Sequence, residues 1–193
     1  CFFDFYDPAD QQKIADSLKE YEGLGCAFFG GNAYCERKMF AVFPKAEIPA
    51  DEAYDIAVLR LNNPGNITHR DVLGALMGLG VSREKTGDIF IDEQAAYLYL
   101  KESIADYVEA NLRAVASEEV SAQRVALEAA EVNEPEGKEA FVIVSSMRAD
   151  AIISAAFKMS RSLALQYIKS DRVKVNHQPL VKQMKELKQG DIV

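Results

Sequence analysis

The chain is poor in metal ligands. Its 193 residues hold three cysteines, Cys1, Cys26 and Cys35, and two histidines. The cysteine number is odd and no CxxC pair occurs, whereas a zinc site is built from closely spaced pairs of soft ligands. No metal and no other cofactor is expected, and free thiols suit a reducing cytoplasm. No apolar run approaches the roughly 20 residues of a membrane helix. No basic start followed by an apolar middle marks a signal peptide. Internal repeats and low-complexity tracts are missing as well. The sequence begins at Cys1 and stops in the strand-like Gly190-Asp191-Ile192-Val193, and so reads as a piece of a longer protein with any targeting segment upstream.

What is present is an ordinary globular composition, 49% apolar and 27% charged, enough to bury a core in one or two domains. The net charge of −8 taken alone argues against nucleic acid. Its distribution does not. Residues 1–137 carry a net −13 and residues 138–193 a net +5. Such asymmetry is a sign of a nucleic-acid contact carried by one part, with a merely solvated lysine-rich surface as the competing explanation.

Element signals follow in order. Asp7 and Pro8 form a helix start, and the spacing of Ile14, Leu18 and Tyr21 predicts a helix over 9–21. Residues 26–29, 38–43 and 54–61 read as strands. The run Asn62-Asn63-Pro64-Gly65-Asn66 is a dense turn signal. Thr68 with Asp71 makes a capping box, and Val72, Leu73, Leu76 and Leu79 share a helical face that Gly78 and Gly80 end. Residues 89–91 and 95–100 read as a hairpin about Asp92-Glu93, 103–112 as a helix and 120–127 as a further strand. Short strands mixed with three helices predict an α+β sheet covered on one side, an order that would fit an RNA-recognition-like (RRM-like) architecture. The acidic, Pro- and Gly-containing run 128–138 is the best linker. We therefore divide the chain into an acidic α+β domain over 1–132, a linker over 133–139 and a second module over 140–193.

That module is expected to open with a strand at 140–144 and a helix over 147–157. A second helix, capped by Ser160, packs Ala164, Tyr167 and Ile168 inward. Asp171 ends it, and Val173 and Val175 point one way while Arg172 and Lys174 point the other. A turn at Asn176-His177-Gln178-Pro179 and a last short strand at Ile192 complete it. Arg161, Leu165 and Lys169 fall on one helical face, so that with Arg172 and Lys174 four cations meet at one edge. The helix N-terminus adds free N–H groups for a phosphate. No aromatic ladder interleaves these cations, so backbone and shape of structured RNA are the expected target.

Over residues 145–193 the pattern Arg148, Asp150, Ser160-Arg161, Ala164, Ile168, Val173, Val175-Asn176 and Gly190-Asp191 resembles the S-four RNA-binding domain, a small module of helices and a β-hairpin. Two residues depart from it: Asp171 and His177 stand where that family has glycine. Upstream, Asp4-Phe5-Tyr6-Asp7-Pro8, Gly30-Gly31 with Glu36-Arg37, the run Thr68 to Gly80 and Arg83-Glu84-Lys85-Thr86-Gly87-Asp88 are similar to the YlmH family of bacterial S-four proteins. The resemblance implies an RNA-binding protein of the large ribosomal subunit, acting on stalled, tRNA-blocked subunits in ribosome-associated quality control, encoded at a cell-division locus. It implies rRNA as partner, with tRNA as the alternative, and a division protein as a further one. It also implies a helical region before Cys1 and a basic tail after Val193. The expected location is the cytoplasm, or the chloroplast for the related plant branch.

The RNA-binding residues expected are Arg148, Lys158, Ser160, Arg161, Lys169, Arg172, Lys174 and Asn176, with Arg70, Arg83 and Lys85 as a second contact. No catalytic residue is expected. His69 between a cap and a helix reads as a surface or capping group, Gly78-Leu79-Gly80 lacks Walker spacing, and no synthase motif supports the competing reading of an RNA-modifying enzyme. A division-associated scaffold is the other alternative. Glu36 and Arg37 are expected to form an internal ion pair, and Tyr97 and Tyr99 to lie on an exposed strand face.

Overall fold

The structure, a computed structural model, describes residues 1–62, 66–92, 94–130, 132, 137, 139–182 and 184–193. Residues 63–65 of the expected turn and most of the expected linker lie outside these residues. The chain divides into two compact units, Cys1–Pro135 and Glu136–Val193. Among the described residues, no helix is long and apolar enough to cross a membrane.

The first unit opens with a strand that the sequence did not announce, β1 (Phe2–Tyr6). Helix α1 (Pro8–Leu18) starts as expected, with Pro8 in its first turn and Asp7 accepting from the Asp10 amide at 3.0 Å. It stops before Tyr21, which is exposed. With β2 (Leu24–Phe29) and β3 (Lys38–Pro44), β1 forms an antiparallel sheet of order β1-β3-β2. The chain then runs β4 (Ile56–Asn62), α2 (His69–Gly78), β5 (Thr86–Ile91), β6 (Ala95–Lys101) and α3 (Glu102–Asn111). A small hairpin follows, β7 (Ala114–Val115) with β8 (Glu118–Glu119), and then β9 (Ser121–Val125). Strands β4, β5, β6 and β9 make an antiparallel sheet of order β5-β6-β4-β9. The capping box at α2 is complete, Thr68 and Asp71 each bonding the other's backbone amide.

This sheet is not covered on one side only. Its period-two alternation sends Leu59, Leu61, Leu98 and Leu100 into a core with Val72 and Leu76 of α2 and Val108 of α3. The opposite face carries Val58, Tyr97 and Tyr99, which pack with Cys35, Leu127, Ala130 and Val132. Tyr97 and Tyr99 are therefore buried, not exposed. The reason is long-range: the loop at Gly31 comes down on the Tyr99 ring. A Cβ at Gly31 would stand 2.6 Å from that ring, and its φ of +106° is one that side chains rarely adopt. Asn32 then donates to the Tyr99 hydroxyl at 2.7 Å.

In the second unit, α4 (Ala149–Ala156) and α5 (Arg161–Lys169) pack against a short hairpin, β10 (Lys174–Val175) with β11 (Gln178–Pro179). Ala149, Ile153, Ala164, Ile168, Val175, Leu180 and Leu187 form the core. Residues 140–144 form no strand. Phe141 and Ile143 are fully exposed, and an apolar alternation makes a strand only where a partner supplies hydrogen bonds. The expected strand at Ile192 is likewise absent; that backbone is held by Asn176 instead.

Candidate nucleic-acid interface

The cationic surface of the second unit is built around a residue that the sequence reading left without a role. Asp150, in the first turn of α4, is 1% exposed. Arg148 grips it with a fork, Nε to Oδ1 at 2.9 Å and Nη2 to Oδ2 at 3.2 Å. Arg161, the first residue of α5, donates from Nη2 to the same Oδ2 at 2.8 Å. Burial works against the charged carboxylate, but the hydrogen bonds from both guanidinium groups outweigh it, and Asp150 titrates below the ordinary carboxylate value. The signal was the pattern Arg-x-Asp followed by Ser-Arg; what the linear order hides is that one carboxylate serves both arginines.

Around this triad the other expected residues divide. Ser160 caps α5, its hydroxyl accepting from the Leu163 amide at 3.2 Å. Lys158, Lys169 and Lys174 are exposed, and none forms an ion pair among the described residues. Lys158 sits at φ +51° in the short link between the helices. Arg172 lies over the Tyr167 ring, 5.9 Å from its centroid. Tyr167 is not packed fully inward as expected: with Leu163, Gln166, Ser170 and Arg172 it lines an open groove of about 290 Å³. Asn176, though exposed, is committed to the C-terminal segment. Its Nδ2 donates to Asp191 Oδ1 at 2.7 Å and its Oδ1 accepts from the Ile192 amide at 2.9 Å. Asn176 and His177, at φ +52° and +64°, form the two-residue turn between β10 and β11, whose backbone sense matches strand twist.

In the first unit, Arg70 is exposed in the first turn of α2, and Lys85 is half-buried in a 3₁₀ turn, Arg83–Lys85. Arg83 turns inward and donates to the carbonyls of Thr86 at 2.7 Å and Gly87 at 3.1 Å. Beside it, Arg37 donates to the carbonyls of Thr86, Phe5 and Arg83 at 3.0, 3.0 and 3.3 Å. Among the described residues no ion pair joins Arg37 to Glu36; carbonyls crowded at the joint of the two sheets take the guanidinium instead. The Arg37 amide donates to Asp88 at 2.8 Å. Burial lowers the pKa of both guanidinium groups and raises that of Asp88. Arg37 thus ties β1 to the start of β5, and Arg83 braces that start locally. Among the described residues, no cluster of three or more His, Cys, Asp or Glu could hold a metal.

The architecture is a two-unit α+β protein whose first unit holds the four-stranded sheet. A family model described as "Putative RNA-binding domain in YlmH" matches residues 49–129, the span of that sheet with α2 and α3. Ribosome-associated protein quality control protein P2 of Bacillus subtilis (strain 168) is 31% identical over 176 residues, covering 90% of this chain and 68% of that protein. A solved structure, the cell division protein ylmH from Streptococcus pneumoniae, matches with a TM-score of 0.60 at 19% identity, over 66% of this chain and 79% of that one, and shows a shared fold. The chain belongs to the YlmH family. These relatives are named for RNA binding, ribosome-associated quality control and cell division, and none for a catalysed reaction.

Proposed function

We propose that the protein is a non-enzymatic RNA-binding protein that grips structured RNA of the large ribosomal subunit, rRNA and secondarily tRNA, in the quality control of stalled subunits. We read the second unit as an S-four-type module. The observation that carries the proposal is the collection of Arg148, Arg161, Lys158, Lys169, Arg172 and Lys174 on that unit, with the lysines free of carboxylates among the described residues. Phosphate contacts of this kind supply affinity and register without reading sequence. Asn176 supports the grip indirectly, by pinning the hairpin that carries Lys174.

We read the order β4-α2-β5-β6-α3-β9 as RRM-like. Such sheets commonly bind RNA by stacking bases on aromatic residues of the face away from the helices. Here that face is closed over Tyr97 and Tyr99, so this domain's share of the contact falls to exposed Arg70 and half-buried Lys85, while Arg83 holds the fold. The relative's name, a ribosome-associated quality control protein, supports the ribosomal setting and, with it, the reading of a cytoplasmic location. Replacing Arg161 and Lys169 together by Glu should abolish co-sedimentation with large ribosomal subunits in a sucrose gradient. Sedimentation that survives the double change refutes the proposal.

A further inference from the structure

We infer that Asp150 is a positioning residue, whose buried carboxylate holds Arg148 and Arg161 side by side as one preformed seat for an RNA backbone phosphate. The inference rests on the RNA-binding reading above and names the group that the unit recognises. Three features carry it. The first is stoichiometry. One arginine fork already satisfies a carboxylate, yet Oδ2 of Asp150 accepts from both Arg148 and Arg161, at 3.2 and 2.8 Å. Two cations drawn to one oxygen repel each other, and the buried charge between them is what holds them there.

The second is what remains unused. Each guanidinium carries five N–H donors. Arg148 gives two of its own to Asp150 and Arg161 gives one, while their side chains stay 33% and 52% exposed. The remaining donors and a net single positive charge belong to a pair of planar forks, which match phosphate oxygens in a way that an ammonium does not. The third is place. Arg161 opens α5, where the positive end of the helix dipole favours an anion. The lowered titration of Asp150 keeps its carboxylate charged across the neutral range.

The test is fluorescence-anisotropy titration of the whole chain with a labelled RNA stem-loop, comparing wild type with Asp150→Asn, Arg161→Lys and Lys169→Glu. Asp150→Asn removes a negative charge while keeping the side-chain shape. If attraction to RNA were a matter of net charge alone, it would bind more tightly. Positioning predicts the opposite, an affinity about tenfold lower, with a salt dependence shallower by about one phosphate contact. Arg161→Lys keeps the charge and loses the fork, and is expected to fall by a similar factor. Either variant, folded and binding as tightly as wild type, overturns the inference. Should Asp150→Asn lose its cooperative melting, Arg161→Lys, altered at an exposed side chain, decides alone. Lys169 takes no part in the triad, so Lys169→Glu reports on RNA binding itself. Wild type without salt-dependent binding, or Lys169→Glu without effect, defeats the RNA-binding reading and the inference with it.

Discussion

Cys35 and Tyr99 show how burial alone changes a side chain's chemistry. Burial pushes the Cys35 thiol up to about 12, and it pushes the Tyr99 hydroxyl up to about 12 against the opposing hydrogen bond from Asn32. At about pH 8, near the ordinary thiol value, alkylation followed by mass spectrometry should modify exposed Cys1 first and Cys26 more slowly. Cys35 should react only after unfolding. Gly31→Ala would drive a methyl into the Tyr99 ring at an unfavourable positive φ. It should cost about 2–4 kcal/mol in chemical denaturation of the first unit. Asp150 fixes a pH dependence of the second unit. Its folded value lies below the ordinary carboxylate value of about 3.9. The stability it contributes is therefore fully present above that value and disappears as pH falls through the lowered one. An acid titration followed by circular dichroism should show this loss in wild type and lack that component in Asp150→Asn.

At the scale of elements, local chemistry decides ends and turns. Thr68→Ala removes one half of a capping box, the hydroxyl that accepts from the Asp71 amide, and leaves the residue-68 amide bonded to Asp71; it should lower stability by about 1 kcal/mol in urea melts. His177 occupies a left-handed turn position where the S-four resemblance expects glycine. His177→Gly should raise the melting midpoint of the second unit, by about 0.5–1 kcal/mol in free energy. These features were legible in the sequence because a cap or a two-residue turn involves neighbours in the chain. The starts of α1, α2 and α5 were readable for that reason. Strand β1 and the irregular run at 140–144 were not. Both are short, aromatic or apolar stretches, and only β1 finds a neighbour, in β3. The same limit applies to the site. Its lysines could be named from charge and position, but the joint hold of Asp150 on Arg148 and Arg161 spans 11 residues of chain.

For the whole molecule, charge is divided between an acidic first part and a basic second one, so the net value of −8 misrepresents the surface that RNA would meet. If about four phosphates are contacted, the affinity for a stem-loop should fall roughly 150-fold between about 50 and 200 mM salt, measurable by the same anisotropy titration. The sequence by itself determined the helices with their caps, the strands that alternate strongly, the division of charge and, through its motifs, the family. These depend on neighbouring residues, on totals, or on short conserved-looking strings. Only the tertiary structure decided that Tyr97 and Tyr99 are covered, that Arg37 serves the joint between sheets, and that Asp150 unites two arginines. Each depends on which distant segments meet, and a buried ring or carboxylate acquires its environment only when they do.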